Sequence, residues 1–267
     1  MLFDSFARTY IFRLIQASNH DAHIRPLWQT TVATNPLFDP DELYYASPVP
    51  DPESAYAGVP MRQVVARIVD GSSIVEFKRT YGTSILAGFA RIEGHPVGVV
   101  ANTHPMLCAK GSRKAAHFVT LCSQRRVPVV FLQDVMGFDM AAGESATLKE
   151  ASLLMRAVAC ASVPKLVATV GRAIGPASYA LCGRAMAPTF SFMWPTAKIM
   201  IDNELPHLAV PPAKLEEQST ALYAAARMWV DDIISPPDSR SVLAHCLSLA
   251  QLSAFEAPSL SHGVFRF

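Results

Sequence analysis

Val127 to Gln133 reads VPVVFLQ, and Lys165 to Val170 reads KLVATV. Each is a nearly continuous apolar run of strand length, without the alternation that marks a solvent-facing side. Strands of this kind are buried on both faces, as in parallel sheets covered by helices. Between the two runs, Thr147 to Ala161 sets Leu148, Ala151, Met155, Val158 and Ala159 on one helical face. Strand, helix, strand in that order predicts neighbouring parallel strands joined by a crossover helix.

The same alternation extends outward. Met61 to Asp70 reads as a helix stopped by Gly71-Ser72, and Ile74 to Arg79 as a short helical turn. Ile85 to Ile92 and Val97 to Ala101 read as strands of a hairpin through Glu93-Gly94-His95. Ser112 is the expected N-cap of a helix running to about Gln124. Beyond KLVATV the spacing predicts a helix over 176–187, a strand over 190–194, and helices over 215–230 and 239–253. The fold class is therefore α/β. Residues 1–27 carry Phe3, Phe6, Tyr10, Ile11 and Leu14 at helical spacing, while six prolines from Pro36 to Pro60 predict an extended arm over 34–60. Residues 1–60 thus read as an appendage and 61–267 as the compact domain.

Only 17% of the 267 residues are charged, against an ordinary level of about 25%. A chain so poor in charge is expected to bury much of its surface in a core and in partners. Lys plus Arg is 23 and Asp plus Glu 22, so there is no basic field for nucleic acid. No apolar run approaches the roughly 18–20 residues of a membrane helix, and Asp4, Arg8 and Arg13 interrupt the apolar core that a signal peptide needs. The five cysteines form no C-x-x-C pair; most lie in apolar context, where a thiol acts as a small hydrophobe. A reducing, cytoplasmic location is expected.

Side-chain chemistry is sparse. His20 and His23 have no acidic or thiol companions that would complete a metal site, and there is no G-x-S-x-G elbow. Gly171-x-x-x-Gly175 lacks a Walker lysine and a third glycine, so a nucleotide site is not expected. Asp134 stands at the end of a buried strand, where it serves either a site or the following loop as a cap. Asp231-Asp232 reads as a turn cap. What remains is backbone: the turns Asp134 to Phe138 and Gly171 to Ala177 each leave a buried strand towards a helix. Small residues there let main-chain N–H groups reach a developing negative charge. Tight strand-to-helix packing asks for the same residues, so both readings stand.

Longer stretches carry a resemblance. ARIVDGSSIVEFKRTYGTSILAGFARIEGHPVGVVAN (66–102), KAAHFVTLCSQRRVPVVFLQDVMGF (114–138), AVACASVPKL (157–166), YALCGRAMAPTFSFMWPTAKI (179–199) and LYAAARMWVDDIISPPDSRSVL (222–243) are similar to biotin-dependent acyl-CoA carboxylases. They resemble the C-terminal half of the carboxyltransferase (β) subunit, closest to the methylcrotonoyl-CoA type, and NPLFDPDELY (35–44) resembles the segment before that half. The resemblance implies a crotonase-like (ClpP/crotonase) ββα spiral. It also implies backbone oxyanion holes for the enolates of biotin and of the acyl thioester, with no metal or nucleotide in this chain. The expected site residues are the backbone of Gly175, Pro176, Ala177, Gly137 and Phe138, with Ser178, Tyr179, Met193 and Asp134 shaping the substrate pocket.

Three departures from the family pattern bear on function. The acyl-CoA-binding half has no counterpart in these residues, so a partner chain is expected to supply it. Met200 to Leu215 replaces a glycine-rich segment with a shorter, proline-rich one. Pro176 and Ala177 match the two positions whose amides form the biotin-side hole, and proline has no N–H. Losing one such donor costs on the order of 3 kcal/mol, or 10²–10³ in rate. The expected function is a carboxyltransferase subunit in an obligate oligomer, moving a carboxyl group between carrier-bound biotin and a CoA thioester. A biotin carrier and a biotin carboxylase would be further partners. The alternatives are a biotin-independent acyl-thioester enzyme (decarboxylase, hydrolase or acyl transfer) and a non-catalytic scaffold subunit.

Overall fold

The computed structural model describes residues 31–46, 60–141, 143–201 and 212–250. The helix expected over 1–27, the middle of the proline-rich arm and the end of the 239–253 helix lie outside the described residues. So does most of the 200–215 segment.

The two apolar runs are adjacent parallel strands. β5 (Val129–Val135) pairs with β7 (Lys165–Ile174), Val130 opposite Leu166 and Leu132 opposite Ala168. Their side chains alternate between two cores: Val130, Leu132, Leu166, Ala168 and Val170 enter one, Val129, Phe131 and Val167 the other. That is why no polar alternation appears in the sequence. Around this pair the sheet runs β1 (Val75–Glu76), β2 (Ile85–Ile92), β3 (His95–Asn102), β5, β7, β8 (Phe190–Met193), β10 (Asp232–Ile233), with β9 (Lys198–Met200) on the far end of β7. β2 and β3 form the expected antiparallel hairpin, and every later pairing in the sheet is parallel. A small second sheet joins β4 (Met106–Leu107) to β6 (Gly137–Phe138).

Helices cover both faces. α2 (Met61–Ile68), α7 (Ala221–Ala226) and α8 (Ser239–Ala250) share one core; α3 (Ala109–Gln124), α4 (Glu144–Ala159) and α5 (Gly175–Ala180) share the other. α6 (Pro212–Gln218) leads into α7. Hairpin then helix, strand then helix, turned through successive units, is the ββα spiral that the resemblance implies.

Several local expectations are corrected. Ile74–Arg79 is not a helical turn: Val75 and Glu76 pair antiparallel with Phe89 and Gly88 as edge strand β1. Ser112 does not cap α3; Cys108 does, its Sγ accepting the Gly111 N–H at 3.3 Å, and Ser112 is buried inside the helix. The helix expected over 176–187 is only α5 followed by a 3-10 turn at Arg184–Met186, and that over 215–230 is divided into α6 and α7. Residues 40–46 are not extended. Pro40 opens a 3-10 turn, where a missing N–H costs nothing, and α1 (Leu43–Ala46) follows. Leu43 is fully buried, and Leu37 N donates to Ser72 Oγ at 2.9 Å, so this part of the arm packs on its own core. Of the cysteines, Cys122, Cys182 and Cys246 are buried, whereas Cys160 is exposed.

Candidate active site

β7 ends at Ile174, and Gly175 turns the chain with φ +63°, a left-handed conformation that glycine adopts without a Cβ clash. α5 then starts with Pro176 in its first turn and with no side chain capping it. The amides of a helix's first turn have no acceptor within it, so those of Gly175 and Ala177 are directed out of its N-terminal end. Pro176 contributes none. The Ser178 hydroxyl donates to Gly175 O at 2.8 Å within the same turn.

A cleft of about 530 Å³ opens at this turn. Gly175, Pro176, Ser178 and Tyr179 line one side, and Ile199, Met200, Ile201, Leu215, Gln218, Ser219 and Trp229 the other. The second wall is tied back to the sheet: Ile199 N donates to Ser219 O at 2.9 Å, and Lys198 pairs with Glu216. Trp229 packs edge-on against Tyr223, their centroids 5.7 Å apart. The cleft is mainly apolar, with the hydroxyls of Ser178, Tyr179 and Ser219, the Gln218 carboxamide and the Trp229 indole N–H as its side-chain polar groups.

The structure brings the two sequence-predicted turns together. β6, which is Gly137–Phe138, packs on α5, and Phe138 and Ala177 share one hydrophobic core. The amides flanking β6 are engaged, Met136 N with Pro105 O at 2.7 Å and Asp139 N with Leu107 O at 2.9 Å. Ala177 is fully buried, so its methyl group faces the core while Ser178 and half-exposed Tyr179 face the cleft. Met193 is also fully buried, in the core on the opposite side of the sheet, away from the cleft lining. Asp134 is buried as well. Its Oδ1 accepts the Arg172 N–H at 2.8 Å, across the point where the β5–β7 register shifts between Gln133 and Val135.

Two groups escaped the sequence reading. Asn102, at the end of β3, accepts the Asp134 N–H at 2.8 Å and donates to Asp134 O and to His104 O. Gln133 sends its Nε2 to Leu181 O and, at 3.4 Å, to Ser178 O at the far end of α5. The available signal was a polar residue closing an apolar strand. The wall from Ile199 to Trp229 had no signal, because it is assembled from β9, α6 and separate residues beside them and after α7.

The groups whose pKa is shifted lie outside the cleft. Burial lowers Lys114 and His117 on α3, the latter helped by Lys78, and pushes the Cys182 thiol up to about 12. Among the described residues no group of three His, Cys, Asp or Glu could hold a metal ion. No described helix is long and apolar enough to cross a membrane.

The carboxyl transferase domain model matches residues 12–201. The biotin-dependent 3-methylcrotonyl-coenzyme A carboxylase beta1 subunit of Mycobacterium tuberculosis is 37% identical, across 90% of this chain and 49% of the relative. The mitochondrial methylcrotonoyl-CoA carboxylase beta chain of Dictyostelium discoideum is 36% identical, across 93% and 46%. Among solved structures, the transcarboxylase 12S hexamer with hydrolysed methylmalonyl-coenzyme A bound superposes with a TM-score of 0.80 at 28% identity, covering 97% of this chain and 52% of that one. The geranyl-CoA carboxylase beta subunit of P. aeruginosa gives 0.74 at 34%, covering 89% and 49%. The chain spans about half the length of these relatives.

Proposed function

The chain belongs to the carboxyl transferase domain family, of the methylcrotonoyl-CoA carboxylase β type with its crotonase-like fold, and from that premise we propose that it forms the biotin-side half of an acyl-CoA carboxyltransferase. In this reading residues 61–267 are the working domain, 1–60 its appendage, and a partner chain brings the acyl-CoA half-site within an obligate oligomer. The assembly works in the cytoplasm with a biotin carrier and a biotin carboxylase. Carboxybiotin, when bound, supplies an activated carboxyl group.

The observation that carries the reading is the uncapped turn of α5 at the head of an apolar cleft. Its residues fit such a ligand. The amides of Gly175 and Ala177 can donate to a ureido oxygen as negative charge grows on it, while Tyr179, Met200 and Trp229 shield the ring from water. Gly137 and Phe138 support the turn from behind, packed against α5 without lining the cleft, and Ser178 lies within the turn itself. An acid, base or metal is not required of this chain, because carboxyl transfer needs the developing oxyanion held in place.

The test is purification with native partners, followed by decarboxylation of a carboxylated acyl-CoA with free biotin as acceptor. Biotin-dependent turnover by the complex supports the proposal. Turnover indifferent to biotin replaces it with the second reading, a biotin-independent acyl-thioester enzyme, which Pro176 specifically favours. Pro176→Gly separates the two. It restores an N–H and raises biotin-dependent transfer by up to about 10² if the hole is short of one donor. If the turn has been rebuilt for another substrate, it lowers activity by loosening the backbone.

A further inference from the structure

The segment from Arg172 to Leu181 carries the candidate donors, and two consecutive residues of β5 hold its two ends. Asp134 Oδ1 accepts the Arg172 N–H at 2.8 Å, before the turn. Gln133 Nε2 donates to Leu181 O and, more weakly, to Ser178 O, beyond it. Successive strand residues face opposite ways, which is why adjacent positions can reach both ends. Gln133 shares the face of Val129 and Phe131, against which α5 packs. Asp134 is itself fixed, because Asn102 brackets its peptide on both sides, accepting from its N–H and donating to its C=O. Both Gln133 and Asp134 are 2% exposed.

We infer that Gln133 and Asp134 are positioning residues, a clamp from β5 that sets the direction of the amides at Gly175 and Ala177. α5 has six residues and no N-cap side chain, so it is too short to hold its own axis. A donor contributes to rate only where the oxyanion will form, and a shift of about 1 Å costs on the order of 10²-fold. Fixing both ends from the most buried part of the sheet supplies that rigidity without placing any side chain in the cleft. The role in turnover rests on the proposed carboxyltransferase function; the clamp itself does not.

Hydrogen exchange and kinetics test the two parts separately. In the wild-type chain the amides of 178–181 should be protected nearly as well as those of β5; exchange like an exposed turn would overturn the clamp, whatever the variants do. Gln133→Met keeps the length and removes the donor. It should speed exchange over 175–181 roughly tenfold while β2 and β3 are unchanged. Asp134→Ala should do the same over 172–175, and Asp134→Asn, which keeps the Oδ1 acceptor, should restore protection. Loss of protection spread evenly over the sheet, or none within 172–181, would refute the inference. With the native partners present, Gln133→Met should lower kcat about 10-fold or more at unchanged KM. Equal effects on both, with local loosening, would reduce the clamp to a structural tie. Absence of biotin-dependent transfer in the wild type would instead count against the proposed function and leave the exchange result standing.

Discussion

α3 follows β4 of the small sheet and α5 follows β7 of the large one; both bury their inner faces in the same core, yet their N-terminal ends are built in opposite ways. α3 has 16 residues and its end is closed. Cys108 caps it, Ser112 N reaches Cys108 O at 3.0 Å, and the Gly82 backbone sits so near Lys110 O that a Cβ there would come within 2.5 Å. Charged side chains brace it: Lys114, with no exposed side-chain surface, donates to Ile85 O and faces Glu76 at 3.6 Å, and Arg113 meets Glu150 on α4. α5 has six residues, no cap and no ion pair of its own, and its end faces a cleft. A helix that holds itself can close its end; one left open to a ligand has to be held by its neighbours.

If charge secures α3, removing it should cost global stability. Glu76→Ala takes the bidentate partner from Arg62 and leaves Lys114 buried beside a carbonyl alone. The expected loss is about 3–5 kcal/mol in urea denaturation. A loss below about 1 kcal/mol, the range of exposed pairs, would remove this half of the contrast.

The two glycines at these entrances sharpen the comparison. Gly82 and Gly175 have φ +57° and +63°, so alanine is strained at either by about 1–2 kcal/mol. Gly82→Ala also drives a methyl into the α3 backbone and should lose about 1–3 kcal/mol more. At Gly175 the nearest atom to an added Cβ is Ile201 O at 3.4 Å, an ordinary contact. Gly175→Ala should therefore shift the urea midpoint less than Gly82→Ala while impairing the site. Equal midpoint shifts would mean that the α5 end is closed after all.

The smallest effect concerns pH. Burial, helped by Lys78 with its Nζ 3.2 Å from Nδ1, lowers the pKa of His117 on α3. The unfolded state then takes up a proton before the folded one does. The stability that the neutral ring contributes is complete above the unfolded value of about 6.5 and is lost as pH falls through the lower folded value. His117→Asn should flatten the Tm–pH curve in that window, with His95, also lowered by burial, retaining a share. A curve unchanged by the substitution would dissociate His117 from the charge network around α3.

How far the sequence could be read follows from the range of the forces involved. VPVVFLQ and KLVATV were legible because burial on both faces needs an unbroken apolar run, a local property. The hairpin at Glu93-Gly94 was legible for the same reason. β1 was misread as a helical turn because a two-residue edge strand exists only through its partner, β2. The α3 start was misplaced because Cys108 caps with a thiol where a hydroxyl or carboxylate is usual. Of the candidate site, the turns after β5 and β7 could be located, and the missing N–H of Pro176 is visible in the sequence itself.

The amino-acid sequence alone determined the order of the long strands and of the main helices, the paucity of side-chain chemistry and the resemblance that led to the family. These rest on periodicity, composition and covalent structure, each contained in a short stretch of chain. Tertiary structure alone decided that Gly137–Phe138 and Gly175–Ala177 meet, that Asp134 and Met193 are buried away from the cleft, and that Gln133 reaches the far end of α5. These are contacts between residues up to 48 positions apart, as from Gln133 to Leu181. They form because a parallel sheet brings the carboxyl ends of separated strands to one edge, which no local pattern encodes.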